Sequence, residues 1–190
     1  MIGRLIGRLA LVGLVVFGVS FVITHYHGQT KRFGCDAAGS AVAHADSGDC
    51  PIDISAAADD AQWAADRIAT IPRTTSATTG LFYDVNGHET RYTSGREDIS
   101  TRIDAFLRAS RAVRMPPVGQ HPAATHVEAK VAMTMREQGV HQGVLVINNP
   151  DGPCPGAYSC QQVLDVLLPP GAILTVWWPG DEYDTFTGRS

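Results

Sequence analysis

The segment from Thr125 to Cys160, THVEAKVAMTMREQGVHQGVLVINNPDGPCPGAYSC, decides the fold because it contains a helix, a strand and the approach to another helix. Residues from His126 to Gln138 predict a helix, and Gly139 is suited to a left-handed C-cap. The run GVLVINN has no polar alternation, which is typical of a strand covered by helices on both faces. After the loop PDGPCPGAYS, a further helix is predicted around Cys160–Leu168.

The flanking sequence adds two strands before this segment and one after it. GLFYDV and HETRYT enclose Asn86-Gly87, which predicts a hairpin with a type I′ turn. Residues from Glu97 to Arg114 form an amphipathic helical pattern that ends before Pro116. Pro169-Pro170-Gly171 predicts a turn into the strand AILTVWW. The order hairpin, helix, helix, strand, helix, strand indicates an α/β layered domain.

The N-terminus is predicted to be a separate segment. The span from Leu5 to Tyr26 reaches the roughly 20 apolar residues that a membrane-spanning helix needs, so residues 1–27 are predicted to form a transmembrane signal-anchor. A cleaved signal peptide is the alternative, although no small-residue cleavage site closely follows the apolar run. Arg4 and Arg8 favour a cytoplasmic N-terminus. The protein would then be membrane-anchored by a single span or secreted, with its C-terminal domain outside the producing cytoplasm.

Residues 28–75 predict a flexible linker, and residues 76–190 the compact domain. The linker is rich in Ala, Gly, Ser and Asp, and Ser55–Ile71 within it predicts one short helix that stops at Pro72. Cys35 and Cys50 would form a disulfide outside the cytoplasm or remain two free thiols; both readings stay open.

Length and charge restrict the function classes. The 190 residues hold one ordinary domain with appendages. The net charge of -4 gives no sign of binding to nucleic acid through phosphates, so any basic face for DNA must be local.

Two cysteines and a histidine near the starts of two helices suggest a metal site. His126, Cys154 and Cys160 supply the ligand number of an open zinc site, which keeps one position for water. Glu128, two residues from His126, is poorly placed as a fourth ligand, since residues two apart on a helix face different sides. It is better placed to move protons beside the metal. His121 is predicted to be a surface or loop residue, although it lies close enough in sequence to line a pocket.

These motifs carry a family resemblance. His126-Val127-Glu128, Pro153-Cys154 and Cys160 together resemble the zinc-dependent cytidine deaminase superfamily. Within it, HVEAKVAMTMREQG, GVLVINNPDGPC and LLPPGAILTV are similar to the SCP1.201-like (DddA-like) bacterial toxin deaminases. The resemblance covers about Gly80 to Trp178. One departure is that five residues, PGAYS, separate the cysteines where the superfamily pattern has two.

The resemblance implies a three-layer, cytidine deaminase-like fold, with a central mixed sheet and helices on both faces. It implies Zn²⁺ held by His126, Cys154 and Cys160, with Glu128 as the catalytic proton shuttle. Candidates for substrate contact are the neighbouring residues Thr125, Val127, Asn148, Asn149 and Pro153.

The implied function is deamination of cytosine to uracil in DNA, by a toxin of interbacterial competition with a cognate immunity protein in the producer. Three alternatives remain open. The enzyme would instead act on free cytidine, nucleotides or RNA. A structural zinc module with four closed ligands would only display a binding surface. A cysteine nucleophile at Cys154, paired with His126, would leave Glu128 and Cys160 without roles.

Overall fold

The computed structural model describes residues 51–72 and 77–189. The predicted signal-anchor at 1–27, the pair Cys35 and Cys50 and the first part of the predicted linker lie outside these residues. Within the two described ranges, no helix combines the length and apolar character required to cross a membrane.

A mixed sheet forms the centre of the domain, which confirms the α/β class. Its strands are β1 (Thr79–Asp84), β2 (Glu89–Thr93), β3 (Gln142–Ile147), β4 (Ile173–Trp178) and β5 (Glu182–Thr187). In the described part of the chain they run in the order β2-β1-β3-β4-β5. β3 and β4 pair in parallel, and the other neighbours are antiparallel. The predicted hairpin is β1 with β2.

The helices that follow the hairpin cover one face of the sheet. They are α3 (Asp98–Ser110), α4 (Val127–Gln138) and α5 (Cys160–Leu167). Their buried side chains pack with Phe82, Leu145 and Val176 in the larger hydrophobic cluster. Because side chains alternate along a strand, the neighbours of Phe82, Leu81 and Tyr83, point to the opposite face.

Two shorter helices, α1 (Ile54–Ala58) and α2 (Ala61–Ala69), cover that opposite face. They bury Ile54 and Trp63 in a second cluster with Tyr83 and Trp177 of the sheet. The Trp63 and Tyr83 rings meet edge to face, with their centroids 5.0 Å apart. The described domain therefore has helices on both faces of the sheet.

The single helix predicted from Ser55 to Ile71 is wrong, because the chain breaks it into α1 and α2. Asp59 ends α1, and the Asp60 carboxylate caps α2 by accepting a hydrogen bond from Trp63 N–H at 2.9 Å. Asp favours such caps because its side chain competes with helical hydrogen bonding. Both helices lie inside the predicted linker, 28–75, and pack on the sheet. The domain boundary at residue 76 stays a prediction.

Two local predictions are also wrong. Helix α3 ends at Ser110 and does not reach Arg114, because Arg111 takes a left-handed conformation with φ 53°. The hairpin turn is not type I′, which needs positive φ at both central residues, since Gly87 has φ 72° and Asn86 is not positive. Instead the Asp84 carboxylate accepts hydrogen bonds from the Asn86 and His88 N–H groups and organises a longer loop.

Candidate active site

His126 and Glu128 are placed by the start of α4. A 3-10 helix, Pro122–Thr125, leads into His126, which is the extended N-cap residue with φ -83° and ψ 151°. Because His126 lies outside the helix, the rule that separates residues two apart on a helix does not apply to this pair. Glu128 is in the first turn of α4 and is only 3% exposed. Both side chains can therefore serve one site.

Cys154 and Cys160 are brought together by the loop between them. Gly156 takes φ 102°, and the N–H of Ser159 donates to the Gly156 carbonyl at 3.1 Å, which turns the chain back. The Ser159 side chain then caps α5, whose first residue is Cys160. The backbone N–H of Cys160 donates to Cys154 Sγ at 3.2 Å, and the two sulfurs are 3.3 Å apart. The five-residue spacing is thus compatible with one shared site.

His126 completes a compact group of three potential ligands. Its Nδ1 lies 3.2 Å from Cys160 Sγ, and the ligand atoms of His126, Cys154 and Cys160 all lie within 4.8 Å of one another. Two sulfurs and one imidazole nitrogen suit zinc, which is bound by such ligands in open, three-ligand catalytic sites. The group could hold a metal ion, and its donor atoms fit zinc.

The two cysteines differ in their electrostatics. The pKa of Cys154 is lowered to about 4. The main cause is the hydrogen bond from the Cys160 thiol, and hydrogen bonds from His126 and the Cys160 N–H add to it. Burial opposes this shift. Donation to Cys154, burial and the nearby negative charges raise the pKa of Cys160 well above its usual value. The negative charge therefore sits on Cys154, at the N-terminus of α5, where the helix dipole favours it.

Glu128 and His126 are shifted in the same direction. Burial, reinforced by the charge on Cys154, raises the pKa of Glu128, even though its own backbone N–H, His126 and Cys160 favour the charged form. The hydrogen bond with Cys154 raises the pKa of His126 against the effect of burial. A raised pKa makes it easier for a carboxyl group to take up a proton and so favours a role in proton transfer.

The predicted substrate-contact residues occupy different surroundings. Thr125 and Pro153 adjoin the potential ligands His126 and Cys154 in the chain, and the Thr125 hydroxyl donates to the Pro122 carbonyl at 3.1 Å. The Val127 side chain is fully buried in the larger core cluster.

Both asparagines hold backbone groups. Asn148 Oδ1 accepts a hydrogen bond from the N–H of Thr79 at 2.8 Å, and Asn149 Nδ2 donates to the Gly152 carbonyl at 2.7 Å. Asn148 thereby ties the end of β3 to β1, and Asn149 closes the turn that leads to Cys154.

One residue at the site was not predicted from the sequence. Tyr158, in the loop between the cysteines, lies with its ring centroid 5.7 Å from that of His121. His121 is only 1% exposed, so the prediction that its side chain lies at the surface is wrong. The sequence feature that could have pointed to Tyr158 is its position in the unusually long segment between the two cysteines.

Comparisons with known proteins agree with the resemblance read from the motifs. The family described as SCP1.201-like deaminase matches residues 56–190. The double-stranded DNA deaminase toxin A of Burkholderia cenocepacia (strain H111) is 37% identical over 60 residues. Those residues are 32% of this chain and only 4% of that protein.

Proposed function

The chain belongs to the SCP1.201-like deaminase family, and from that premise we propose that it is a zinc-dependent enzyme that deaminates cytosine to uracil in DNA. The observation that carries the proposal is the buried Glu128 carboxyl beside the group His126, Cys154 and Cys160. The match to a DNA deaminase toxin supports DNA as the substrate and toxicity as the outcome.

In this proposal His126, Cys154 and Cys160 hold the zinc ion. Bound zinc would supply Lewis acidity and lower the pKa of a water molecule, which provides a nucleophile near neutral pH. The ligands must be deprotonated to bind it. Cys154, with its pKa of about 4, is already a thiolate at neutral pH.

Glu128 then moves the protons of the reaction. It takes a proton from the attacking water as the C4–O bond forms, and it delivers that proton to N3 of the cytosine ring. The remaining hydroxyl proton passes through Glu128 to the amino group. The C4–N bond breaks, and uracil and ammonia are the products. Glu128 is only 3% exposed, so its carboxyl group would act in a site largely shielded from bulk water.

The biological setting that we propose follows from this chemistry. Uracil in the genome of a competitor would make the protein toxic, so the producing cell would need an immunity protein that blocks the site. The predicted N-terminal signal-anchor would place the domain outside the producing cytoplasm, membrane-anchored or secreted, before it acts in a target cell.

The substrate is tested with the full chain and Zn²⁺ on five substrates: single-stranded DNA, double-stranded DNA, RNA, free cytidine and cytidine nucleotides. We expect uracil in DNA, and the ratio of the two DNA rates gives the preferred strandedness. Conversion of RNA, cytidine or nucleotides without conversion of DNA would contradict DNA as the substrate. Stoichiometric zinc without conversion of any substrate would instead support the structural zinc module.

A further inference from the structure

The loop that leads to Cys154 begins where strand β3 ends. β3 and β4 are parallel neighbours, so their C-terminal ends lie at the same edge of the sheet. Residues Asn149 to Gly152 form a turn after β3, and Trp178 is the last residue of β4. The turn and Trp178 therefore lie side by side at this edge.

The two tryptophans at the end of β4 point to opposite faces of the sheet, because side chains alternate along a strand. Trp177 is buried in the cluster under α1 and α2. Trp178 packs against the larger cluster on the other face, and so does Cys154. Of these two tryptophans, only Trp178 is on the face that carries the candidate active site.

The backbone of Gly152 lies directly against the Trp178 ring. A Cβ at position 152 would be 2.6 Å from Cε2 and 2.8 Å from Cδ2 of the indole. Carbon atoms in contact are normally about 3.5–4.0 Å apart, so the ring leaves no room for a side chain. Gly152 also takes φ 65°, which glycine adopts without steric cost. Both the ring and the backbone conformation therefore require glycine here.

The turn beside the ring is closed and is joined to Cys154 by a stiff link. The N–H of Gly152 donates to the Asn149 carbonyl at 3.2 Å, and Asn149 Nδ2 donates to the Gly152 carbonyl at 2.7 Å. The next residue is Pro153, whose ring holds its own φ at about −65°. Because only Pro153 separates the turn from Cys154, a displacement of Gly152 would displace Cys154 as well.

Cys154 needs such support more than the other two potential ligands do. His126 is the N-cap of α4 and Cys160 is the first residue of α5, so a helix places each of them. Cys154 lies outside all the helices and strands of the described residues. Its Sγ accepts the Cys160 N–H at 3.2 Å, which holds it from the side of α5. The turn beside Trp178 holds it from the other side.

We propose that Trp178 is a positioning residue for the metal ligand Cys154. The indole is a flat, rigid surface that fixes the Gly152 turn, and through Pro153 the turn fixes where Cys154 Sγ lies. Residues that orient metal ligands commonly change metal affinity 10–100-fold when they are mutated. The inference rests on the zinc site of the proposed function and adds a residue that no ligand pattern would select.

The test measures the zinc affinity of the full chain by competition with a chromophoric chelator. Trp178→Leu removes the flat ring and should weaken zinc binding by about tenfold. Trp178→Phe keeps an aromatic ring and should restore most of the affinity. Urea denaturation identifies conditions in which every variant is folded, and affinities are compared there. A Trp178→Phe variant as weak as Trp178→Leu would contradict the role of the ring.

Trp177→Leu is the matched control. It is the same change at the adjacent residue on the opposite face, and it removes the indole N–H that donates to the Ala58 carbonyl at 3.1 Å. It should lower stability and leave zinc affinity at the parent value. Equal losses of affinity in Trp177→Leu and Trp178→Leu would overturn the proposal, because they would show an effect of stability alone.

Cobalt(II) in place of zinc supplies a spectroscopic signature. The absorption of bound cobalt depends on its ligands and their geometry, and thiolate ligands add charge-transfer bands. We expect Trp178→Leu to lose charge-transfer intensity and Trp177→Leu to keep the parent spectrum. A loss of stability alone would leave the spectrum of the folded, metal-loaded protein unchanged.

A double-mutant cycle on zinc affinity tests the contact itself. Gly152→Ala places a Cβ against the indole and should weaken zinc binding by about tenfold. In the Trp178→Leu background the same change should cost less, because the flexible leucine can move away from the new Cβ. The left-handed strain at position 152 is present in both backgrounds and cancels. Equal costs would mean that the ring does not support the turn.

The positioning role and the proposed function fail in different results. Parent-like zinc affinity and a parent-like cobalt spectrum in Trp178→Leu would overturn the positioning role and leave the zinc site intact. If the parent chain binds no zinc, both the positioning role and the zinc-dependent function are wrong.

Discussion

At the scale of single residues, the motif His126-Val127-Glu128 works because the helix begins inside it. His126 is extended and Val127 is the first helical residue, so the side chains of His126 and Glu128 are not held to opposite sides of one helix. Val127 points into the core and anchors this turn. The motif therefore supplies a potential metal ligand and a buried acid from positions two residues apart.

The ligand role of Cys160 leads to a first prediction. Cys160→Ser should reduce bound zinc from about one ion per chain to well below one, because a hydroxyl is a poor replacement for a thiolate. Elemental analysis of the dialysed protein measures this. Ser159→Ala is the control, since it removes the cap of the same helix but no ligand. It should cost about 1 kcal/mol in unfolding free energy and retain zinc. Equal zinc in Cys160→Ser and the wild type would contradict the ligand role.

Residue types allowed His126, Glu128, Cys154 and Cys160 to be selected from the sequence, since few side chains bind zinc or transfer protons. The hydrogen bond that the Asn148 side chain forms could not be predicted from its residue type. Its amide contacts Thr79, which is 69 residues away, and that contact depends on the pairing of β1 with β3. Tyr158 was missed for the same reason, because its partner His121 is distant in sequence.

At the scale of elements, both α4 and α5 direct their N-termini at the site, with His126 as the N-cap of α4 and Cys160 as the first residue of α5. Helix N-termini favour negative charge, which the thiolate of Cys154 supplies. The apolar patterns predicted α4, α5, β3 and β4 because each buries a continuous face. Strand β5 was not predicted, since most of its side chains are exposed and Phe186 alone is buried.

The predicted end of α3 is too late because the next proline, Pro116, lies six residues beyond Ser110, where the helix ends. The chain leaves the helix through Arg111 at φ 53°, whereas α4 ends through Gly139 at φ 67°. Only glycine takes this conformation without steric cost. The stop of α3 thus depends on contacts of the following loop and not on the residue that makes the turn.

This difference gives a second prediction, on the two helix ends. Arg111→Gly should raise the unfolding free energy by about 0.5–1 kcal/mol, because it removes left-handed strain at a cost in unfolded-state entropy. Gly139→Ala should lower it by about 1 kcal/mol through strain alone, since a Cβ at Gly139 would meet no atom within 4 Å. Urea denaturation measures both. A loss of stability in Arg111→Gly would show that its side chain is needed there.

At the scale of the whole molecule, α1 and α2 complete the covering of the sheet. Their sequence predicts a linker because alanine and aspartate dominate it and few large side chains are present. Trp63 nevertheless buries against Tyr83, and the Trp177 indole N–H donates to the Ala58 carbonyl at 3.1 Å. Such a contact between residues 119 apart is not visible in local composition.

A third prediction follows for this covering layer. Trp63→Ala should lower the unfolding free energy by about 3–5 kcal/mol, because it opens a cavity between α2 and the sheet. Ile52→Ser is the control; Ile52 is 75% exposed and its loss should change stability by less than about 0.5 kcal/mol. Urea denaturation of the full chain compares them. Equal stability of Trp63→Ala and the wild type would mean that α1 and α2 do not belong to the folded unit.

The central claim is that Glu128 transfers the protons while His126, Cys154 and Cys160 hold the metal. The most direct test compares uracil formation in DNA by the wild type and by Glu128→Gln at equal zinc content, detected by uracil-specific cleavage of a labelled strand. The account predicts that the variant keeps zinc and loses activity by at least about 100-fold, the lower range for a general acid–base. Wild-type activity in zinc-loaded Glu128→Gln would contradict the account.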